Sequence, residues 1–246
     1  MTETVVAAQA AGSPSKSLLA RAVGVILSPK ETYADVAAGP RILGALGAVV
    51  IIVVAVSTTF SSTRLGKDLA LEQTIRVMEG LGLQVSDQMY SQLESRIMNQ
   101  GPILPAVGTA VGLPIVAAIC AGILFAVFTA LLGGDAKFKQ VYAIVIYSGF
   151  LLALQTLFIY PMFYLKESMA SPTSLAVFLP FLDESSFVAR LVGAIDLFRL
   201  WWIVNLSIGI GVLYKKRTSP IVWSMLAVYA VIALIIAAAG AAFSGA

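Results

Sequence analysis

The chain has 246 residues, of which 59% are hydrophobic and 12% charged, against roughly 25% charged in an average soluble domain. Its net charge of +3 is spread over the loops, and the largest basic run, Lys215-Lys216-Arg217, is too small a patch for nucleic-acid binding. There is no histidine and one cysteine, Cys120, which excludes histidine acid–base catalysis, an intrachain disulfide and a zinc site of the usual type.

Residues 1–15 are small and polar, without the basic then apolar pattern of a signal peptide, and predict a disordered N-terminal tail. Residues 16–28, KSLLARAVGVILS, predict a short helix with a broad apolar face and with Lys16 and Arg21 on the other side. Two placements stay open. The helix lies in the membrane interface with its cations toward anionic headgroups, or it packs on a helical bundle. Ser28-Pro29-Lys30-Glu31 then starts a second helix, with Ser28 as cap, Pro29 at the first position and Glu31 completing a capping box. Gly39-Pro40 ends it.

Five apolar blocks follow, roughly 43–60, 103–132, 141–165, 194–213 and 220–243. Each reaches or approaches the roughly 17–25 residues a helix needs to cross a bilayer. Between the first two, residues 64–101 predict a pair of amphipathic helices. The first covers about 68–79, and the second starts near Ser86, with Met89, Leu93 and Ile97 on one stripe. Pro105 and Pro114 are expected to break the second block, which leaves a span of about 114–132. Before that span Gly108 and Gly112 form a GxxxG, and Ala233, Ala237 and Ala241 repeat every four residues in the last block. Both spacings suit close helix approach.

The reading is therefore all-α: a polytopic membrane protein of five transmembrane helices, a short N-terminal interfacial segment and a helical extracytoplasmic insert. Orientation follows from the basic residues near the spans. With the N-terminus inside, the inner side carries nine basic and four acidic residues, the outer side seven and nine. Both short loops, DAKFKQ and YKKRTS, agree. The expectation is N-terminus cytoplasmic and C-terminus extracytoplasmic.

Few polar groups lie within the blocks. Asp196 and Arg199, three apart at the start of the fourth, are placed to pair on a helix surface. Such a pair either fixes helix depth at the interface or marks a functional polar site. Trp201 and Trp202 fit belt aromatics, and Lys215, Lys216 and Arg217 fit anchors at the opposite interface. Gln155 and Asn205 lie deeper and suit hydrogen bonds between helices, worth about 1 kcal/mol each. No GxSxG, paired catalytic carboxylates or metal-ligand cluster occurs, and SSTRLGK at 61–67 lacks the leading glycine of a phosphate loop. The expectation is no catalytic residue, no metal and no cofactor.

Three stretches in this order resemble the Yip family of membrane proteins: LLARAVGVILSPKETYADVAAGP, LLGGDAKFKQVYAIVIYSGFLLAL and IDLFRLWWIVNLSIGIGVLYKKR. With five spans, the resemblance covers about 16–243, and 16–246 is read as one Yip-like membrane domain. It implies a five-helix bundle with a cytoplasmic N-terminal segment. Eukaryotic members are linked to Rab GTPases and vesicle traffic, and some bacterial members accompany ABC-type export machinery. The alanine-rich composition points to a bacterial inner membrane. The expected role is a non-catalytic accessory or scaffold protein, with membrane lipids and a membrane protein or a second copy as partners. A small permease or lipid-handling protein is the alternative, built on Asp196, Arg199, Gln155 and Asn205.

Overall fold

A computed structural model describes residues 16–182 and 186–244. The expected tail at 1–15 lies outside them. The described residues are helical, with one isolated antiparallel bridge between Ser174 and Asp196.

Two ten-residue helices come first among the described residues, α1 (Leu18–Leu27) and α2 (Pro29–Ala38). The Ser17 hydroxyl caps α1 by accepting from the Ala20 amide. Ser28 does not cap α2 with its side chain, so the expected capping box is absent. Ser28 also ends α1, its amide donating to the Gly24 carbonyl at 2.8 Å, and its backbone, at φ −141° and ψ 64°, is not in the extended conformation usual for a cap. Pro29 at the first position and Gly39 at the end act as expected.

The bundle consists of α3 (Ile42–Ser61), α6 (Ile103–Phe125), α7 (Phe138–Lys166), α9 (Leu197–Leu213) and α10 (Thr218–Ser244). Among the described residues, four helices are long and apolar enough to cross a membrane: Ile42–Ser61, Ile103–Leu131, Phe138–Lys166 and Thr218–Ala242. The helix in the fourth block, α9, has 17 residues and falls just short of that length. It packs on α2, α7 and α10.

The expected break in the second block does not occur. Helix α6 starts at Ile103, keeps Pro114 in its interior and continues through a π-helical turn, Ala126–Leu131. Pro105 falls in the first turn, where no intrahelical donor is lost. Gly108 and Gly112 have open space where a Cβ would stand, so the GxxxG is not a contact within this chain. Of the alanine series, Ala237 is buried.

The main core lies where α3, α6, α7 and α9 meet, around Val49, Phe128, Ile144 and Ile210. Helix α7 is its axis, with twelve buried residues. Gly209 on α9 lets Ile144 and Tyr33 approach; a Cβ there would stand 2.5 Å from the Ile144 methyl.

The 64–101 segment forms the expected pair, α4 (Arg64–Gly80) and α5 (Asp87–Asn99). Thr63 and Ser86 cap them through hydroxyls that accept from Gly66 and Met89. Helix α4 packs on α3 and α10, whereas α5 has no buried residue. A short helix, α8 (Phe187–Ala194), leads into α9 and rests on α10.

Candidate functional site

Two buried polar centres sit at opposite ends of the bundle. The first joins the N-terminal helices to α7 and α9. Arg21 on α1 is 1% exposed. Its Nε donates to Asp35 Oδ2 at 2.7 Å, one terminal nitrogen to the Gly39 carbonyl at 2.9 Å and to the Tyr147 hydroxyl at 3.3 Å, and the other to the Asp35 carbonyl at 3.3 Å. The guanidinium also lies over the Tyr147 ring, 5.7 Å from its centre. The Tyr147 hydroxyl passes its own proton to the Arg41 carbonyl at 3.2 Å. Arg21 thereby satisfies the Gly39 carbonyl just past α2 and adds a second donor to the Asp35 carbonyl, which already accepts from the Gly39 amide at 3.1 Å.

Of the two placements left open, α1 takes the one packed on the bundle, and Arg21 faces inward rather than toward headgroups. The helix is inverted: its cation faces the bundle, while Leu19 and Leu27 point away at 75% and 77% exposure. A planar fork with five donors suits a crowded set of acceptors, so burial of this cation is compensated. Burial alone lowers the affinity of Arg21 for its proton, but hydrogen bonds to Tyr147 and Asp35 outweigh it and hold the group above its ordinary value. A raised folded value means that this contribution is present throughout the neutral range and is lost only on passing above that value.

One turn along, Tyr33 donates to Asn205 Oδ1, and Asn205 Nδ2 donates to the Val25 carbonyl at 2.7 Å. Tyr33 and Asn205 are both buried. Burial pushes the Tyr33 hydroxyl well above its ordinary value, so it remains a donor. Asn205 is thus the bond between α9 and the N-terminal helices. Gln140 adds another, its Nε2 donating to the Ala37 carbonyl at 2.9 Å. Nearby, the 133–140 loop meets the turn after α9. Thr129 bonds Tyr214 at 2.7 Å, and Gly134 passes so close to the Tyr214 ring that a Cβ would stand 2.5 Å from it. Lys215, Lys216 and Arg217 are exposed beside it.

The second centre is Asp196, 1% exposed at the N-cap of α9. Oδ1 accepts from the Phe198 and Arg199 amides at 3.0 and 3.2 Å and from Gln155 Nε2 at 3.1 Å. Oδ2 accepts from the Ser171 and Thr173 hydroxyls at 2.7 and 2.6 Å. Beside it the 173–175 backbone pairs with 195–197, Leu175 N to Ile195 O at 2.9 Å and Leu197 N to Thr173 O at 3.0 Å. The carboxylate ties the loop after α7 to the start of α9, with Gln155 as its contact in the bundle.

The expected Asp196–Arg199 ion pair is not formed. A capping residue precedes the helix and turns its side chain back over the first amides, so the i, i+3 surface relation does not apply. Arg199 is exposed. Trp202 also departs from a belt role: its Nε1 donates to Ser148 Oγ at 3.0 Å, inside the bundle. Trp201 sits half-buried against Phe198. Sequence reasoning missed Arg21, Tyr33, Tyr147, Ser171 and Thr173. For Arg21 the signal was present, a cation flanked by Gly24, Val25 and Ala22 on the face the helix buries.

In both centres the side chains described find their hydrogen-bond partners within the same chain. Among the described residues no cluster of three metal-ligating side chains occurs.

A family model described as the Yip1 domain matches residues 23–241, which takes in the Asp196 centre, the partners of Arg21 though not Arg21 itself, and the bundle helices up to the last turn of α10. No curated protein and no solved structure matches the chain. The apolar helices and this match together place the chain in the Yip1 domain family, as a multi-pass membrane protein.

Proposed function

We propose that the protein is a non-catalytic scaffold of the bacterial inner membrane that holds a protein partner through its extramembrane helices. One observation carries this reading. The deep polar groups Asp196, Gln155 and Asn205 are spent on hydrogen bonds within the chain, while α5, which buries nothing, turns Met89 and Tyr90 outward. A permease needs polar groups free to exchange water for substrate along a path. A scaffold needs a rigid body and an uncovered face. The partner class to which family resemblance points is ABC-type export machinery, with a second copy of the chain as the other outcome.

The finer arrangement belongs to the same proposal. Residues 16–246 form one domain, and α9 is a fifth crossing. Its 17 residues span about 25 Å, close to the hydrocarbon thickness, and the flanking α8 and Tyr214 turn supply the rest. The N-terminus is cytoplasmic and the C-terminus is not. A reporter fused after Lys216 gives the cytoplasmic signal and one at Ala246 the extracytoplasmic signal. The opposite signal at Lys216 reverses the orientation.

The partner is tested with a photoreactive amino acid at Tyr90 in intact membranes. The expected result is one discrete heavier adduct containing a second protein. Recovery of the chain alone, both after illumination and in several mild detergents, removes the scaffold reading.

A further inference from the structure

At the end of the bundle away from the N-terminal helices, two cavities meet. A groove of about 540 Å³ opens on the flank between the last turns of α3 and α7. Ala55, Thr59 and Phe60 form one wall, and Tyr160, Pro161 and Tyr164 the other. It is apolar by construction. The Thr59 hydroxyl is turned back to the Ala55 carbonyl at 2.7 Å, and Phe60 meets Tyr160 edge to face at 5.2 Å. Both helices are among those long and apolar enough to cross the bilayer. What borders the groove is therefore hydrocarbon, and leaving it empty forfeits dispersion contacts on every wall.

The second cavity, about 430 Å³, is polar and adjoins the first through consecutive residues: Thr63 lines the groove, Ser62 and Arg64 the polar cavity. Its charged walls hold both signs, Arg64 and Lys67 with Asp68 and Glu94. Lys67 is engaged, donating to the Met98 carbonyl at 2.7 Å. Arg64 is exposed and enters none of the ion pairs of the described residues, and neither do Asp68 and Glu94. A cation and two carboxylates left open at the mouth of an apolar groove match one ligand chemistry: a fixed anion next to a fixed cation, on a hydrocarbon tail.

We propose that the two cavities form one site for a phospholipid with an ammonium-bearing, zwitterionic headgroup. Arg64 takes the phosphate, Asp68 and Glu94 face the ammonium, and one acyl chain lies in the groove between α3 and α7. A purely anionic lipid satisfies Arg64 and is repelled by the two carboxylates. The bidentate fork of arginine suits phosphate oxygens, and Tyr160 and Tyr164 suit the level where headgroup meets chain.

The test uses the full chain in nanodiscs of phosphatidylethanolamine and phosphatidylglycerol. Each disc is doped with a photoactivatable analogue of one of the two lipids, carrying the reactive group on the acyl chain. The phosphatidylethanolamine probe is expected to label peptides covering 55–63 and 160–164 about fivefold more than the phosphatidylglycerol probe. Ala55→Trp, at an exposed position where a larger side chain leaves the bundle intact, fills the groove and removes this labelling. Thr59→Trp, also exposed, repeats the test from the next turn. Arg64→Ala with Asp68→Ala keeps tail labelling but abolishes the preference between probes. Equal labelling by both probes in the unaltered chain overturns the proposal. So does labelling spread evenly over α3, α6 and α10, or labelling unchanged by both tryptophans in chains whose helicity is intact.

Discussion

Replacing Asp196 by alanine is expected to destabilise the protein by on the order of 4 kcal/mol, the largest effect of any single polar substitution in the bundle. Five donors converge on this carboxylate, two of them backbone amides of α9. Loss of a helix cap alone costs about 1 kcal/mol, and each buried donor left without an acceptor adds about 1–3 kcal/mol, less whatever relaxation recovers. Asp196→Asn is expected to recover less than half, because its amide nitrogen must face a donor on one side. The thermal midpoint in mild detergent reads the global effect, and proteolysis within 168–182 reads release of the loop. A midpoint unchanged by Asp196→Ala, with the loop still protected, removes Asp196 as the pin between them.

Arg21→Met acts on the other end and in a different way. Breaking a buried ion pair from one side costs about 3–5 kcal/mol where the remaining partner stays buried. Asp35 is partly exposed and regains water, so the loss falls at the lower end of that range, about 3 kcal/mol. Val25, Tyr33 and Val36 share the core cluster, but most of it lies on α3, α6, α7 and α9, so the expected consequence is local: α1 and α2 detach while α3, α7 and α9 hold. Hydrogen exchange over residues 18–38 rises steeply, and exchange over 141–153 changes little. Arg21→Lys is not expected to rescue it, since a point cation cannot serve Asp35, Gly39 and Tyr147 at once. Exchange over 18–38 that stays slow in Arg21→Met shows that apolar packing around Val25 and Val36 suffices.

The helices were legible in the sequence because their signals are local. Apolar runs, Pro29, Gly39 and Ser86 act within a few residues, and the periodicity at Met89, Leu93 and Ile97 places α5 before any tertiary contact is known. The polar centres were legible only as residue types. Asp196, Gln155 and Asn205 stood out as polar groups in apolar surroundings, yet their partners Ser171, Thr173, Tyr33 and Val25 lie in other elements and carry no pattern of their own. The spacing of Asp196 and Arg199 pointed to the wrong partner because it presumes that both residues lie on the helix. The amphipathic pattern of α1 gave the right element and the wrong face. Hydrophobicity alone directs a cation outward, and only the acceptors of α2 and α7 reverse that.

The bonds of the first centre also impose an order on events. Arg21 waits for Tyr147, 126 residues later, and Tyr33 and Val25 wait for Asn205, 172 and 180 residues later. Chains emerge from the ribosome at about 5–20 residues per second, so the first segment made stays undocked for many seconds while the rest inserts. The earliest described helices are thus locked late. Their docking certifies that α7 and α9 have arrived and met, and a chain halted before residue 205 exposes an unfastened N-terminal hairpin to whatever surveys unfinished membrane proteins.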